Sequence, residues 1–505
     1  MTDWTHGYNI EQGYTYGVYR ELAPDWMDVC AMLAGFVAPS EAGLGGLRYL
    51  ELGCGQGFGL CLIASAYPNI EFVGVDFSPE HIAHARGLAS TAGLDNVSFV
   101  EADFLDLARD WPAELGGFDY VVLHGIYSWV PDELRQAIVG CLAKALVSGG
   151  LAYLSYNSMP GWAVMQPFQH IASRLHLRSP LPGAQVLNNA VGLFQRLKTG
   201  KAALFDALPG LAGRIDGLKE LNPNYLVQEY LHSNWTPMWF SEVADEMRGA
   251  KLEFVASATL PENLLPGMLP EAVRGVVAEV ADPLAQQDVI DCAINQSFRR
   301  DLLARGRRRR FPAAPGAADL LVVGLARPAG ETAQIKTSFG EFTIKAQIFN
   351  PLFDALDGGP KRISELLGLS EQANMLQALI LLAHGGHLAV LKDGARTAEA
   401  AHRFNQAVAA AVLTGAPYSY LAAPQIGSAL AARDVDLMLL ALRNQGVEKG
   451  LLAGGLLDAL AKLGRKLLRD GQPVEGDEAR TLAKDLVNDV FVHRLPLWQK
   501  LGAVA

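Results

Sequence analysis

The stretch that most constrains this chain is Tyr49-Leu50-Glu51-Leu52-Gly53-Cys54-Gly55-Gln56-Gly57-Phe58-Gly59. A short apolar run reads as a buried strand, four glycines stand at alternate positions after it, and an apolar helical stretch runs from Leu60 to Ala66. Glycine tolerates positive φ and the close approach of a ligand or another backbone. A glycine turn between a buried strand and a helix N-terminus makes a small-molecule site at the carboxyl edge of a parallel sheet. A dinucleotide fingerprint requires G-x-G-x-x-G, but its last position falls on Phe58 counted from Gly53 and on Leu60 counted from Gly55. The G-K-[ST] ending of a triphosphate loop is missing as well. What remains is one acid before the loop, Glu51, and a second, Asp76, closing the next strand, Glu71-Phe72-Val73-Gly74-Val75-Asp76. A carboxylate at that strand end suits the two hydroxyls of a ribose. Glu51 suits a positively charged ligand and disfavours phosphate.

From Tyr49 onward strands and helices alternate. Strand 49–53 leads to helix 58–66, and strand 71–76 to a helix opened by Ser78-Pro79-Glu80, with Ser78 as N-cap and Pro79 at the first helical position. Strand 97–102 ends at Asp103-Phe104 and strand 118–123 at His124-Gly125; helix 132–146 precedes strand 151–155. This alternation predicts a parallel sheet with helices on both faces, an α/β Rossmann-like fold. Asp103 is either a ligand contact or a helix cap. Tyr127 and Trp129 face the ligand or belong to the core. Asn157 either offers its amide oxygen to an amine or forms an Asx turn ahead of Pro160. Before the first strand, an aromatic segment containing Tyr14 and Tyr16 precedes a helix over 25–38. It folds over the ligand as a lid or packs on the domain flank.

The length of 505 residues calls for two to four domains. A net charge of −11 argues against general nucleic-acid binding. Cys30, Cys54, Cys61, Cys141 and Cys292 form no C-x-x-C pair and read as reduced, buried thiols of a cytoplasmic protein, with no metal site. No signal peptide and no membrane span are expected. Seven arginines between 299 and 310 read as a solvated helix end and linker, because no aromatic residue is interleaved with them. Strand signals at 319–325 and 339–344, helix 348–356, a helix through 371–384 and Gly386-His387-Leu388-Ala389-Val390-Leu391 resemble a winged-helix module. Its recognition helix has no basic residue over 371–379, so a packing or protein-binding role is expected rather than DNA. Residues 400–505 are rich in alanine and leucine and read as helical.

Together these segments resemble the class I S-adenosylmethionine (SAM) methyltransferases that carry a methyltransferase regulatory domain, among them the rickettsial protein lysine methyltransferases. The resemblance rests on Glu51 to Gly57 with Asp76, on Tyr14-Thr15-Tyr16 with Arg20-Glu21-Leu22, on His124 to Pro131, on Tyr156 to Trp162, and on Glu229-Tyr230-Leu231 with Phe298-Arg299. One departure is Gln228 before Glu229, where the family pattern has histidine. The resemblance implies a SAM-binding domain with an N-terminal lid over 1–180, a helical and regulatory domain over 181–310, a winged-helix-like domain over 311–395 and a helical domain over 396–505. It implies cofactor contacts from Tyr16, Glu51, Gly53, Cys54, Gly55, Gly57, Asp76, Phe77, Asp103, Phe104 and His124, with Asp103 near the adenine amino group and Phe104 over the ring. Tyr127, Trp129, Asn157 and Trp162 would shape the acceptor slot. A dimer that methylates protein lysines follows from the same resemblance. The rivals are a small-molecule O- or N-methyltransferase with His124 as general base, and a non-catalytic SAM-binding or protein-interaction scaffold.

Overall fold

The computed structural model describes residues 16–41, 46–218, 223–232, 234–311, 316–370, 374–392, 394 and 396–505. After α1 (Pro24–Leu33) come β1 (Leu47–Leu52), α2 (Phe58–Ala66), β2 (Ile70–Asp76), α3 (Pro79–Thr91), β3 (Val97–Glu101), α4 (Phe104–Arg109), β4 (Phe118–Leu123), α5 (Asp132–Ala145) and β5 (Leu146–Asn157). These five strands are parallel. Four helices follow, α6 (Gln166–His176), α7 (Gly183–Thr199), α8 (Leu204–Ala207) and α9 (Pro209–Gly217), then α10 (Pro223–Tyr230) and α11 (Phe240–Arg248). The chain then returns to the sheet through β6 (Leu252–Ser257), leaves it for α12 (Glu271–Glu279) and α13 (Pro283–Ile294), and closes it with β7 (Phe298–Arg305). The strand order is β3-β2-β1-β4-β5-β7-β6, with β7 antiparallel to both of its neighbours.

The local chemistry explains the element starts. Ser78 caps α3, with its side chain accepting from the His81 amide and Pro79 at the first helical position. Asp103 caps α4 by accepting from the Leu105 amide at 2.7 Å. Gly57 enters α2 at φ +73°, and a Cβ there would lie 2.4 Å from that of Ala85, so only glycine fits between the two helices. α2 is apolar all round because it is covered all round, by the sheet on one side and by the C-terminal helical region on the other.

Several expectations are corrected. Arg299 to Arg305 belong to a sheet strand, not to a solvated helix end. Arg299 is 4% exposed and bonds Asp291 at 2.6 Å and both oxygens of Asp301, while Tyr156 on β5 donates to Asp301 at 2.6 Å. Arg305 donates to the carbonyls of Ala143 and Leu146. A run of charges looks solvated from sequence because burial is set by packing: Arg299 finds its carboxylates nearby, on α13 and β7, while Arg305 reaches carbonyls about the end of α5, remote in the chain. β6 and β7 both belong to the same sheet as β1 to β5. β5 begins at Leu146 and ends on Asn157, longer than the expected 151–155, and α1 stops at Leu33 rather than 38. Cys292 is exposed on α13 and Cys54 is half-buried, so those two thiols are not core residues.

Beyond the sheet lie β8 (Leu321–Gly324), β9 (Thr332–Thr337), β10 (Gly340–Lys345), α14 (Ala346–Leu356), β11 (Lys361–Arg362), α15 (Ile363–Leu366), α16 (Met375–His384) and β12 (Leu388–Leu391). β11, β8 and β12 form one three-stranded antiparallel sheet, and β9 pairs with β10. α16 is buried at Met375 and from Ala378 to Ala383, so its apolar face is already occupied; residues 371–373 of the expected recognition helix lie outside the described residues. Next come α17 (Glu399–Val412), the hairpin β13 (Tyr420–Ala423) with β14 (Ser428–Ala431), and a run of helices to the C-terminus. Among the described residues no helix is long and apolar enough to cross a membrane, and no three His, Cys, Asp or Glu side chains are grouped to hold a metal.

Candidate active site

At the carboxyl edge of β1, β2, β3 and β4 lies a cleft with two lobes that share Gly53, Gly55 and His124. One lobe is lined by Asp76, Phe77, Asp103, Phe104, Ile126 and Trp129. The other is lined by Tyr16, Tyr19, Glu51, Cys54, Gln56 and Gly57. The loop between them is built for close approach. Gly53, Gly55 and Gly57 all have positive φ, and a Cβ on Gly55 would meet nothing within 4 Å. Asp76 ties the loop down: one oxygen accepts from the Gly55 amide at 2.9 Å, the other from the Ser78 amide at 2.9 Å and lies 3.1 Å from His81 Nδ1. Each carboxylate oxygen accepts more than one bond, so Asp76 retains capacity for hydroxyls in the cleft.

Electrostatics divide the cleft. Burial, with the nearby Asp76 charge, pushes the Glu51 carboxyl up to about 8. The Gln56 side-chain oxygen is buried and has no hydrogen-bond partner among the described residues. A buried acid beside an orphaned acceptor calls for a cation or an ammonium group. His124 sits where the lobes meet, with Nδ1 facing the Tyr153 hydroxyl at 2.9 Å and Ser155 Oγ at 3.2 Å. Its ring lies 3.8 Å from that of Tyr19, and burial, helped by Arg300, pushes its pKa down to about 3. The imidazole is therefore neutral throughout the physiological range.

Tyr16, part of the N-terminal strap, packs against Phe58 at the start of α2 and against His84 on α3; Tyr14 lies outside the described residues. Of the four residues expected to shape the acceptor slot, Trp129 lines the cleft and sits 5.2 Å from the His232 ring. Asn157, 3% exposed, donates from Nδ2 to Glu229 at 3.2 Å. Trp162 packs against Tyr230 and Trp235 and donates its indole N–H to the Ser297 carbonyl. Tyr127 is a correction. Its ring is wholly buried among core side chains, and its hydroxyl donates to Glu246 on α11. The tyrosine falls within a one-turn helix after β4, whose pitch sends Trp129 to the cleft and Tyr127 inward. The sequence reading missed Tyr19, Gln56 and His232. It used Glu229 only as a family marker, although a glutamate at the end of an amphipathic helix beside aromatics was the available signal.

Comparison with known proteins places this geometry. The methyltransferase domain family matches residues 44–170, and the family described as a predicted methyltransferase regulatory domain matches residues 222–305. The uncharacterized protein sll1526 of Synechocystis is 33% identical over 99% of this chain and 99% of its own length. The chain belongs to the class I SAM-dependent methyltransferases with a methyltransferase regulatory domain. This methyltransferase is also 29% identical to the uncharacterized protein RP789 of Rickettsia prowazekii, over 58% of this chain and 51% of that one. PKMT2 from Rickettsia typhi, solved in complex with AdoHcy, shares the fold with a TM-score of 0.69 at 19% identity, covering 96% of this methyltransferase and 98% of that chain. The enzyme's cofactor is SAM. The residues present fit it: open space over Gly55 for close approach, Asp76 for paired hydroxyls, and Glu51 with the orphaned Gln56 oxygen for the methionine ammonium.

Proposed function

We propose that this methyltransferase methylates an amine, the side chain of a protein lysine. In this reading Asp76 takes the ribose; Phe77, Asp103 and Phe104 take the adenine; Tyr16, Glu51, Gly53, Cys54, Gly55 and Gly57 take the methionine half; and His124 marks the methyl end. SAM supplies a methyl group on a sulfonium that needs no further activation. The chain's own residues have to align an acceptor, exclude water and deal with a proton.

The observation that carries the reading is the Glu229 carboxylate, fixed by Asn157. Its helix, α10, turns Tyr230 towards Trp162, and His232 just beyond it sits against Trp129. Phe298 pairs with Asn157 across the sheet and packs edge-on to His124, which links the surroundings of Glu229 to the end of the cleft marked by His124. A carboxylate walled by aromatic rings suits an ammonium on entry. In water-poor surroundings the ion pair is costly, which favours passing the proton from nitrogen to the carboxylate and freeing the lone pair. The indole N–H of Trp235, buried without a partner among the described residues, suits a peptide carbonyl beside the lysine. His124, with its depressed pKa, is a poor general base, which weighs against a hydroxyl acceptor. The resemblance to rickettsial protein lysine methyltransferases points the same way.

Labelled methyl groups from SAM, offered with a cell lysate, should enter the protein fraction at lysines. The variant Glu229→Gln should lose about a hundredfold or more in that transfer while binding S-adenosylhomocysteine normally. Label confined to small molecules, or undiminished in the variant, would overturn the reading.

Glu51 adds a pH signature. Its folded value, about 8, lies above its ordinary 4.5, so the ligand-free fold loses stability as pH rises from about 4.5 through about 8. A cation bound beside it reverses that penalty and expels the proton. The rise in Tm caused by SAM should therefore be larger at about pH 8.5 than at about pH 6. Calorimetry in buffers of different ionisation enthalpy should show proton release at the lower pH; no release would remove Glu51 from the cationic end.

A further inference from the structure

Tyr418, in the turn before β13, is more than three hundred positions from the glycine loop, yet reaches it through one side chain. His84 on α3 stands between them. Its Nδ1 lies 2.7 Å from the Gln56 carbonyl and its Nε2 lies 3.0 Å from the Tyr418 hydroxyl. A carbonyl only accepts, so Nδ1 must carry the proton and donate, which leaves Nε2 to bond the Tyr418 hydroxyl. The Tyr418 ring is stacked on Phe58 at 4.5 Å, and Tyr16 closes the box edge-on at 5.2 Å. Three separate parts of the chain, the N-terminal strap, the α/β core and the C-terminal helical region, thus meet over one peptide unit.

That peptide unit is held at both of its polar ends. It joins Gln56 to Gly57, and glycine accepts both signs of φ. Its N–H is held by the Cys54 carbonyl at 3.1 Å, and its carbonyl by His84. Without the second bond only the Cys54 contact holds the plane, and the Gln56 side chain that lines the cleft loses its fixed position.

We infer that Tyr418 is a positioning residue for the cofactor site: through His84 it fixes the Gln56–Gly57 peptide, so the C-terminal region is a working part of the SAM site rather than an appendage. Tyr418 touches no ligand in this account. The inference rests on the glycine loop being the SAM loop. It also gives the C-terminal region a means of control, because any partner that shifts β13 shifts the loop.

The test uses the full-length chain and S-adenosylhomocysteine in a calorimetric titration. Tyr418→Phe keeps the stack on Phe58 and removes only the hydroxyl. It should weaken binding about five- to tenfold and leave Tm within about two degrees. His84→Ala should weaken binding at least as much, and adding Tyr418→Phe to it should cost nothing more, because the tyrosine acts through the imidazole. His84→Asn, which keeps a donor for the Gln56 carbonyl, should bind more tightly than His84→Ala. Normal binding by Tyr418→Phe, full additivity with His84→Ala, or equal binding by the two His84 variants would each overturn the inference and leave the cofactor reading standing. Failure of the unmodified protein to bind would overturn both.

Discussion

A chain carrying Gly55→Arg and Asp76→Ala loses SAM binding by at least about a hundredfold and still folds. The two substitutions act on different grounds. A Cβ on Gly55 meets no protein atom, so the arginine occupies the space a ligand would take. Its left-handed φ of +54° costs the fold only about 1–2 kcal/mol. Asp76→Ala removes the carboxylate meant for the ribose, and with it the ties to the Gly55 and Ser78 amides. Gly57 would be the wrong choice for this test, because its Cβ collides with Ala85 and would confound folding with binding. Calorimetry reports the binding, and circular dichroism with a melt reports the fold. Normal binding by the double variant would show that the cofactor lies elsewhere.

The second large effect concerns stability. Arg299→Met should destabilise the unit that holds the central sheet by about 3–5 kcal/mol. The guanidinium, which also lies 4.3 Å above the Phe240 ring, is the only cation bonded to Asp291 and Asp301 in the described structure. Removing it strands two buried carboxylates in the core. Adding Asp291→Asn and Asp301→Asn should recover much of the loss, since the cost comes from unpaired charge and not from missing bulk. A guanidinium melt followed through the sheet transition distinguishes these. The network also joins β5, β7, α11 and α13, so it sets the stretch containing Ser297, the acceptor for Trp162, against the SAM domain. A loss below about 1 kcal/mol would mean that the network tolerates water.

The legible part of this fold was its local part. The glycine loop, Asp76 and the Ser78-Pro79 cap could be read because each is short-range chemistry with strong positional demands. Short apolar runs alternating with helical stretches likewise located β1 to β5. β7 was hidden because arginine marks an exposed surface unless its partners are known; Asp301 lies on the same strand, and Asp291 meets Arg299 only when α13 folds back on it. β9 was missed although Thr332, Gln334 and Lys336 alternate with the buried Ala333 and Ile335, the pattern of a half-buried strand; its apolar face holds only those two small-to-medium side chains. In the site, the residues that line the cleft could be read from strand ends, whereas the surroundings of Glu229 could not. Tyr127 and Trp129 are two residues apart, and only the one-turn helix after β4 decides which of them faces the cleft. His84 and Tyr418 carried no signal at all, because their role exists only where two distant segments touch.

The most direct measurement is a crystal structure with S-adenosylhomocysteine bound. Density should run along the cleft with the sugar hydroxyls on Asp76, the adenine beside Asp103 and Phe104, the amino group at Glu51 and Gln56, and the sulfur pointing past His124 towards Glu229. An empty cleft at saturating ligand, or a sulfur directed away from the Glu229 chamber, would contradict this account.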